Sequence, residues 1–401
     1  MQGVLPEGWV WKRLEEIAEI NVRFEKNSID DETEVTFLPM RCVEELTGRM
    51  DTSIEKKYGE IKTGYTPIQD GDLLFAKITP CMENGKIAIA QNLKNGIGFA
   101  STEFHTLKFS PDYETKFYFF FLMQEKIRQE AARNMTGTAG QHRVPSVFLK
   151  KLKVPVPPLH VQRQIVAVLE QAEAVKRQRQ EADALTGALL QSVFREMFGD
   201  PVRNEKGWKK AKISDITIFH KQGLYTDVNY ADDGIRLIRI TDITEDGHLN
   251  YSSMPFLSIN DKLAEQFKVE QGDFLFARSG VSIGRCAIVE SNIPCVFGSF
   301  IIKFQFNPKK IDNKFFLHLI RMPSNQYQLT KFTHGSANPN VNADNIKNLE
   351  IFIPPLALQQ QFAHIVESVG RIREQQVASG RQIEGLCKGL MQRAFAGELV
   401  G

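Results

Sequence analysis

The chain has 401 residues, 42% of them hydrophobic and 24% charged, with a formal net charge of +2. That length is more than one ordinary compact domain needs and suits two or three, and the composition excludes disordered and collagen-like classes. So small a net charge gives no global basic footprint of the kind nucleic-acid binders usually carry, so any such signal has to be local.

Gly8-Trp9, followed by Lys12 and the apolar Leu14, Ile17 and Ile20, opens the first half. No basic stretch followed by a hydrophobic segment is present at the N-terminus, and the longest apolar run, Phe117 to Met123, is too short to cross a membrane, so a cytoplasmic protein with no membrane partner is expected. A strand-like run, Gly71-Asp72-Leu73-Leu74-Phe75-Ala76-Lys77, leads to a turn signal at Glu83-Asn84-Gly85 and then Lys86. Phe117 to Arg133 is helix-like. From Gln124 to Lys153 the chain is locally basic, with Lys126, Arg128, Arg133, Arg143, Lys150, Lys151 and Lys153 against Glu125 and Glu130. A solvated face explains such a cluster equally well. Within it lies the small-residue loop Gly137-Thr138-Ala139. Val154-Pro155-Val156-Pro157-Pro158-Leu159 then opens a long helix, because proline tolerates the first turn, where its missing N–H would have had no partner. Along it Ile165, Val168, Ala172, Val175, Ala182, Leu189 and Val193 recur at the spacing of a coiled-coil seam, interrupted by Arg179.

The second half repeats this order. Gly207-Trp208 precedes Lys210, Ile213, Ile216 and Phe219, with a further basic excess at Arg203, Lys206, Lys209, Lys210, Lys212 and Lys221. Ile238-Arg239 and Asp242 before Gly247 are paired, more loosely, with Met40-Arg41 and Glu44 before Gly48. Gly272-Asp273-Phe274-Leu275-Phe276-Ala277-Arg278, followed by Gly284-Arg285, repeats the strand-like run closely. Gly335-Ser336-Ala337 matches the small-residue loop, and Ile351-Phe352-Ile353-Pro354-Pro355-Leu356 the helix entry. Phe362, Ile365, Val369, Ile372, Ile383, Leu386 and Leu390 form the second seam, softened by Gln376 and Ser379. Two separate amphipathic helices, each covering its own domain, remain an alternative to a coiled coil at this point. The second helical segment is about one turn longer between Pro-Pro and its terminal Phe395 than the first is to Phe194, so imperfect symmetry is expected.

These elements predict an α+β fold: two similar globular domains, 1–155 and 201–352, each followed by a long helix, 156–200 and 353–401. The chain carries no phosphate-binding glycine loop, no paired histidines at metal-ligand spacing, no nucleophile elbow and no amino-methylase motif. Cys42, Cys81, Cys286, Cys295 and Cys387 show no paired spacing and are expected to be reduced core residues. Repeated domains without catalytic residues point to binding of a target with two similar parts, and bipartite duplex DNA fits. A helix of some forty residues spans roughly 60 Å, enough to hold two reading heads more than a turn of duplex apart.

The two Gly-Trp starts, the paired Gly-Asp-x-Leu-Phe-Ala-Lys/Arg runs, the small-residue loops at Gly137 and Gly335, and the two Pro-Pro-Leu-x-x-Gln entries at Pro157–Gln162 and Pro354–Gln359 resemble the specificity (S) subunits of type I restriction-modification systems over nearly the whole chain. The resemblance implies two target recognition domains, each reading half of a split DNA site, with the helices paired as an antiparallel coiled-coil spacer. It further implies a non-catalytic subunit without a cofactor of its own. Its partners would be double-stranded DNA, two modification (methyltransferase) subunits that carry S-adenosylmethionine, and restriction subunits. The two small-residue loops differ in side chains, so the site is expected to be non-palindromic. A stand-alone bipartite DNA-binding regulator is the alternative, and an enzyme with an unrecognised motif or a peptide-binding scaffold are further readings.

Phosphate and base-edge contacts require Lys, Arg and small polar side chains on loops and strand ends. The candidates in the first domain are Arg41, Lys77, Thr79, Lys86, Thr138, Gln141, His142 and Arg143. In the second they are Arg239, Arg278, Ser279, Arg285, Ser336, Asn338 and Asn340. Lys77 and Arg278 are the strongest pair, since each ends an apolar strand-like run, although a structural ion pair would use the same geometry.

Overall fold

A computed structural model describes residues 5–22, 29–138, 140–201, 203–227, 229–331 and 340–399. The chain divides into two compact units, Met1–Gln180 with Ala378–Gly401, and Glu181–Val377. Both are α+β, and both are built from the same parts.

In the first unit a four-stranded antiparallel sheet runs in the order Ala18–Ile20, Phe104–Phe109, Leu73–Ala76, Ile87–Ile89. A second sheet orders Glu55–Lys57, Glu34–Leu38, Ile97–Ala100 and Thr66–Gln69, with a parallel pair at its centre. Val10–Arg13 pairs with Lys153–Val156 and brings the start of the globular part to its end. The second unit repeats the plan: Thr217–Gln222, Ile301–Phe306, Phe274–Ala277 and Cys286–Ile288 in one antiparallel sheet, Phe256–Leu257, Ile235–Ile238 and Cys295–Phe297 in another, and Lys209–Lys212 against Glu350–Ile353.

The repeated Gly-Asp run owes its form to one turn. Gly71 and Gly272 adopt φ of 94° and 93°, a region open to glycine at little cost. The next residue turns its carboxylate back: Asp72 accepts from the Gln69 N–H at 2.8 Å and Asp273 from the Glu270 N–H at 2.9 Å. The chain then enters Leu73–Ala76 or Phe274–Ala277, strands buried along their whole length, which is why they read as continuous apolar runs. The stretch expected as one helix from Phe117 to Arg133 is two, Thr115–Met123 and Glu125–Arg133, broken at Gln124.

The two long helices are Leu159–Phe198 and Leu356–Ala396. Each starts directly after Pro-Pro, whose second carbonyl accepts the first helical bonds, Val161 and Gln162 to Pro158, and Leu358 and Gln359 to Pro355. In the first unit the Cys387 thiol lies 3.6 Å from the Ala172 carbonyl. In the second, Gln376 donates to Thr186 at 2.9 Å and Arg373 reaches Gly187 at 3.5 Å. Rising positions on one helix thus meet falling positions on the other, which makes the pairing antiparallel. The expected seam needs correction, however. Val175, Leu189, Ile372 and Leu386 are 43%, 43%, 46% and 62% exposed. Two helices bury only a narrow strip, and in mid-helix the part-buried positions include small and polar side chains such as Ala172, Thr186 and Gln376.

At their ends the helices join the globular cores. Phe395 packs on Phe117 and Phe121, at 5.1 and 5.4 Å between centroids, in the first unit. Phe194 and Phe198 pack on Phe315 and Phe362 in the second. Each core therefore receives the start of its own helix and the end of the other. Cys42, Cys286 and Cys295 are buried, Cys81 and Cys387 partly so, and all are free thiols.

Candidate nucleic-acid interface

The end of the central strand organises the candidate surface in both units. In the first, the Lys77 N–H donates to the Glu103 carbonyl at 2.9 Å and the Lys77 carbonyl accepts from Val144 at 2.8 Å. Ile78 bridges to Arg143, and Thr79 donates to the His142 carbonyl at 3.0 Å. The Gln141–Arg143 strand, paired with Thr136–Thr138, is thereby tied to the Lys77–Thr79 segment. Lys86 lies on the same side, its ammonium donating to the Met40 carbonyl at 3.3 Å, next to the exposed Arg41. Arg41, Lys77, Thr79, Lys86, Gln141, His142 and Arg143 are thus brought together, as is the backbone of Thr138.

The second unit repeats the join. Arg278 donates to the Phe300 carbonyl at 3.0 Å, its carbonyl accepts from Val341 at 2.8 Å, and Ser279 bridges to Asn340. Ala76 and Ala277 donate in the same way to the Lys86 and Arg285 carbonyls, so those cations are equivalent. Ser279 stands where Ile78 does, one place from Thr79, and Asn340 stands at the place of Arg143. Ser336 and Asn338 lie outside the described residues.

The pairing of Arg41 with Arg239 is displaced by two positions. Ser101 donates to the Leu38 carbonyl as Gly298 does to that of Ile238, and the short helices that follow are Met40–Cys42 and Ile240–Asp242. Arg239 therefore corresponds to Pro39, and Arg41 to Thr241. The repeated Arg misled the alignment because the strands before it are too short to fix a register by pattern.

Several candidates already hold a carboxylate. Arg143 grips Glu103 through Nε and Nη2 at 3.0 and 2.8 Å, and this guanidinium holds the Glu103 carboxyl below its usual range. Arg239 grips Asp242 at 3.0 and 2.9 Å and donates to the Ser253 carbonyl at 2.6 Å. Burial works to raise the Asp242 carboxyl, but hydrogen bonds from Arg239 and Ser253 outweigh it and hold it low. Arg285 meets Glu245 at 3.1 Å. Such pairs fix a guanidinium in position while leaving part of its fork to a second acceptor. Behind Lys77, His105 donates from Nε2 to the Val144 carbonyl at 2.8 Å, so its Nδ1 accepts from Asn21 at 3.0 Å. Burial lowers the His105 pKa and keeps the ring neutral.

Sequence reasoning missed the aromatic side chains beside Arg239. Tyr225, Tyr230 and Phe300 share a cleft with it in the second unit. Tyr225 and Tyr230 lie close together in sequence and Phe300 far along the chain, outside any periodic pattern; the available signal was aromatic side chains set among Asn, Asp and Gly. The corresponding place in the first unit has Glu103 instead of Phe300.

Two stretches of the chain, residues 6–183 and 205–379, match the family model described as the type I restriction modification DNA specificity domain. The specificity subunit of the type I restriction enzyme EcoEI of Escherichia coli is 42% identical over 164 residues, which take in 40% of this chain and 27% of that protein. A chain from a structural study of complex assembly and conformational transition of the type I R-M system superposes with a TM-score of 0.66 at 20% identity, covering 99% of this chain and all of that one. The HsdS subunit of Thermoanaerobacter tengcongensis superposes with a TM-score of 0.50 at 21% identity, covering 98% of each chain. At these identities the structural likeness is one of fold.

Proposed function

The chain belongs to the type I restriction modification DNA specificity family, and from that premise we propose that it is the subunit that reads a bipartite, non-palindromic duplex site and directs modification and restriction subunits to it. The observation that carries this reading is the duplicated strand end. Two units of one plan each set a cation, Lys77 or Arg278, against a second segment holding Arg143 or Asn340. The surroundings differ between the units, in that Arg143 faces Glu103 in one and Asn340 stands near an aromatic cleft in the other. Two heads of one plan and unlike chemistry suit two unlike half-sites.

The chain is proposed to be non-catalytic and to bind no cofactor, with S-adenosylmethionine held by two modification subunits. Lys77, Arg278, Lys86 and Arg285 are proposed to meet phosphates, and Arg41, Thr79, Gln141, His142, Ser279 and Asn340 to lie over bases. Thr138, Ser336 and Asn338 remain proposed contacts on sequence grounds. None of the described helices is long and apolar enough to cross a membrane.

Modification-sensitive sequencing of the host genome with and without the gene tests the proposal. The expected result is a split motif, two short half-sites around an unread gap, with adenine methylated only when the gene is present. Unchanged methylation in a host with active modification subunits, together with tight binding by the purified chain alone, would replace the proposal with a stand-alone regulator.

A further inference from the structure

In the second unit a cleft of about 610 Å³ adjoins the candidate interface, and its rim is aromatic. Tyr225, Tyr230 and Phe300 line it and remain 77%, 61% and 57% exposed. Isolated exposed apolar side chains are ordinary, but three around one recess are the pattern of a contact surface. The recess is continuous with the cationic strand end, because the Phe300 carbonyl accepts the Arg278 N–H at 3.0 Å and Ser279 bridges to Asn340. Arg239, with its guanidinium 5.9 Å from the Tyr230 ring centre, would ordinarily be a candidate for guanine. Its Nε and Nη2 donors are instead committed to Asp242 and Ser253. Three rings form the aromatic part of this edge, in a lining that also holds Thr226, Asp227, Asn229, Thr241 and Ser299.

In the major groove the base pairs present hydrogen-bond donors and acceptors and one apolar group, the 5-methyl of thymine. The aromatic part of this recess, beside a phosphate-seeking cation, matches that apolar group. We propose that the second unit reads a thymine of its half-site by seating the 5-methyl group against Phe300, Tyr225 and Tyr230. The inference rests on the DNA-reading function proposed above. Asn229 also lines the cleft, and its side-chain type bonds adenine, the partner base of thymine. At the place of Phe300 the first unit has Glu103, which pairs with Arg143 at 2.8 Å, so the proposed discrimination is assigned to one half-site alone.

The test uses the full chain and duplexes carrying the split motif found by methylation sequencing, with each thymine in turn replaced by deoxyuridine, which removes only the methyl. For the wild-type chain, one replacement in one half-site should weaken binding about three- to tenfold. Phe300→Ala should bind the thymine and deoxyuridine duplexes equally at that position, while Phe300→Leu, which keeps an apolar wall, should retain discrimination. Matching melting temperatures of the variants and wild type separate this from misfolding, and Tyr225→Ala gives a second reading on a side chain that is mostly exposed. If no replacement distinguishes wild type from Phe300→Ala, the inference fails while the DNA-reading function stands. If the wild-type chain shows no preference for the split motif over a scrambled duplex, the functional reading itself fails.

Discussion

Lys303 is a charge the second unit buries and the first does not. Its ammonium is 3.0 Å from Asp273 and 2.9 Å from the Lys268 carbonyl, with the side chains of Lys303 and Asp273 only 10% and 2% exposed. The first unit has Thr106 at the same place on the strand, and there burial raises the Asp72 carboxyl. Removing one member of a buried pair strands the other, so Lys303→Met should cost about 3–5 kcal/mol of stability by urea denaturation. Replacing Thr106 should cost far less. His318 is a second residue with a measurable signature. Burial, then Arg321 and Arg373, lower its pKa from 6.5 to about 4. Below pH 6.5 the unfolded chain binds a proton that the folded ring does not accept until about pH 4. Stability is therefore unaffected above that range and falls as the pH drops through it. Between pH 7 and pH 5 the loss should be about 2 kcal/mol, and His318→Phe should remove it. Sequence showed neither residue, because a lone Lys in a strand or a lone His in a helix looks the same whether buried or solvated.

At the scale of elements, the Pro-Pro-Leu-x-x-Gln entry was legible as a pattern, and the structure supplies its reason. Gln162 is 1% exposed and Gln359 is fully buried. Gln162 accepts from the Glu114 N–H at 2.9 Å and donates to the Pro157 carbonyl at 2.8 Å. Gln359 accepts from Asp312 at 2.9 Å and donates to Pro354 and Lys310 at 2.8 and 3.2 Å. Each amide thus fastens the first turn of a long helix to the N-terminus of a helix in the globular part. Ion pairs repeat about two turns further along the long helices, Lys116 with Glu170 and Lys314 with Glu367. Gln359→Leu leaves the buried partners unsatisfied and should lower stability by about 3 kcal/mol, and Gln162→Leu, with fewer bonds to lose, by somewhat less. Melting curves of the two variants give the comparison directly. The helices were readable from spacing and repeat, and their antiparallel sense was implied by the family resemblance. Their contact strip was not, since a heptad pattern lists apolar positions without saying which of them a single partner helix covers; Leu386→Gln should accordingly change stability by less than about 0.5 kcal/mol.

Over the whole molecule, duplication left one scaffold with two different surfaces, and this sets how the proposed DNA contacts should combine. Lys77 and Arg278 could be paired from sequence because the Gly-Asp turn before them fixes the register in both halves. Arg41 and Arg239 could not, and Tyr225, Tyr230 and Phe300 come together only in the fold. Lys77 and Arg278 belong to different compact units and share no partner, so their contributions to binding should be independent. On the proposed function, Lys77→Ala and Arg278→Ala should each weaken binding to the split motif about tenfold and lower the slope of log affinity against log salt by about 1. The double variant should show the product of the two losses and a slope lower by about 2. Each phosphate contact acts without regard to sequence, so the motif itself should persist in the single variants, in contrast to Phe300→Ala, which should relax one position. A double variant no weaker than either single one would mean that the two cations serve one shared contact, and two independent reading heads would then be the wrong description of this chain.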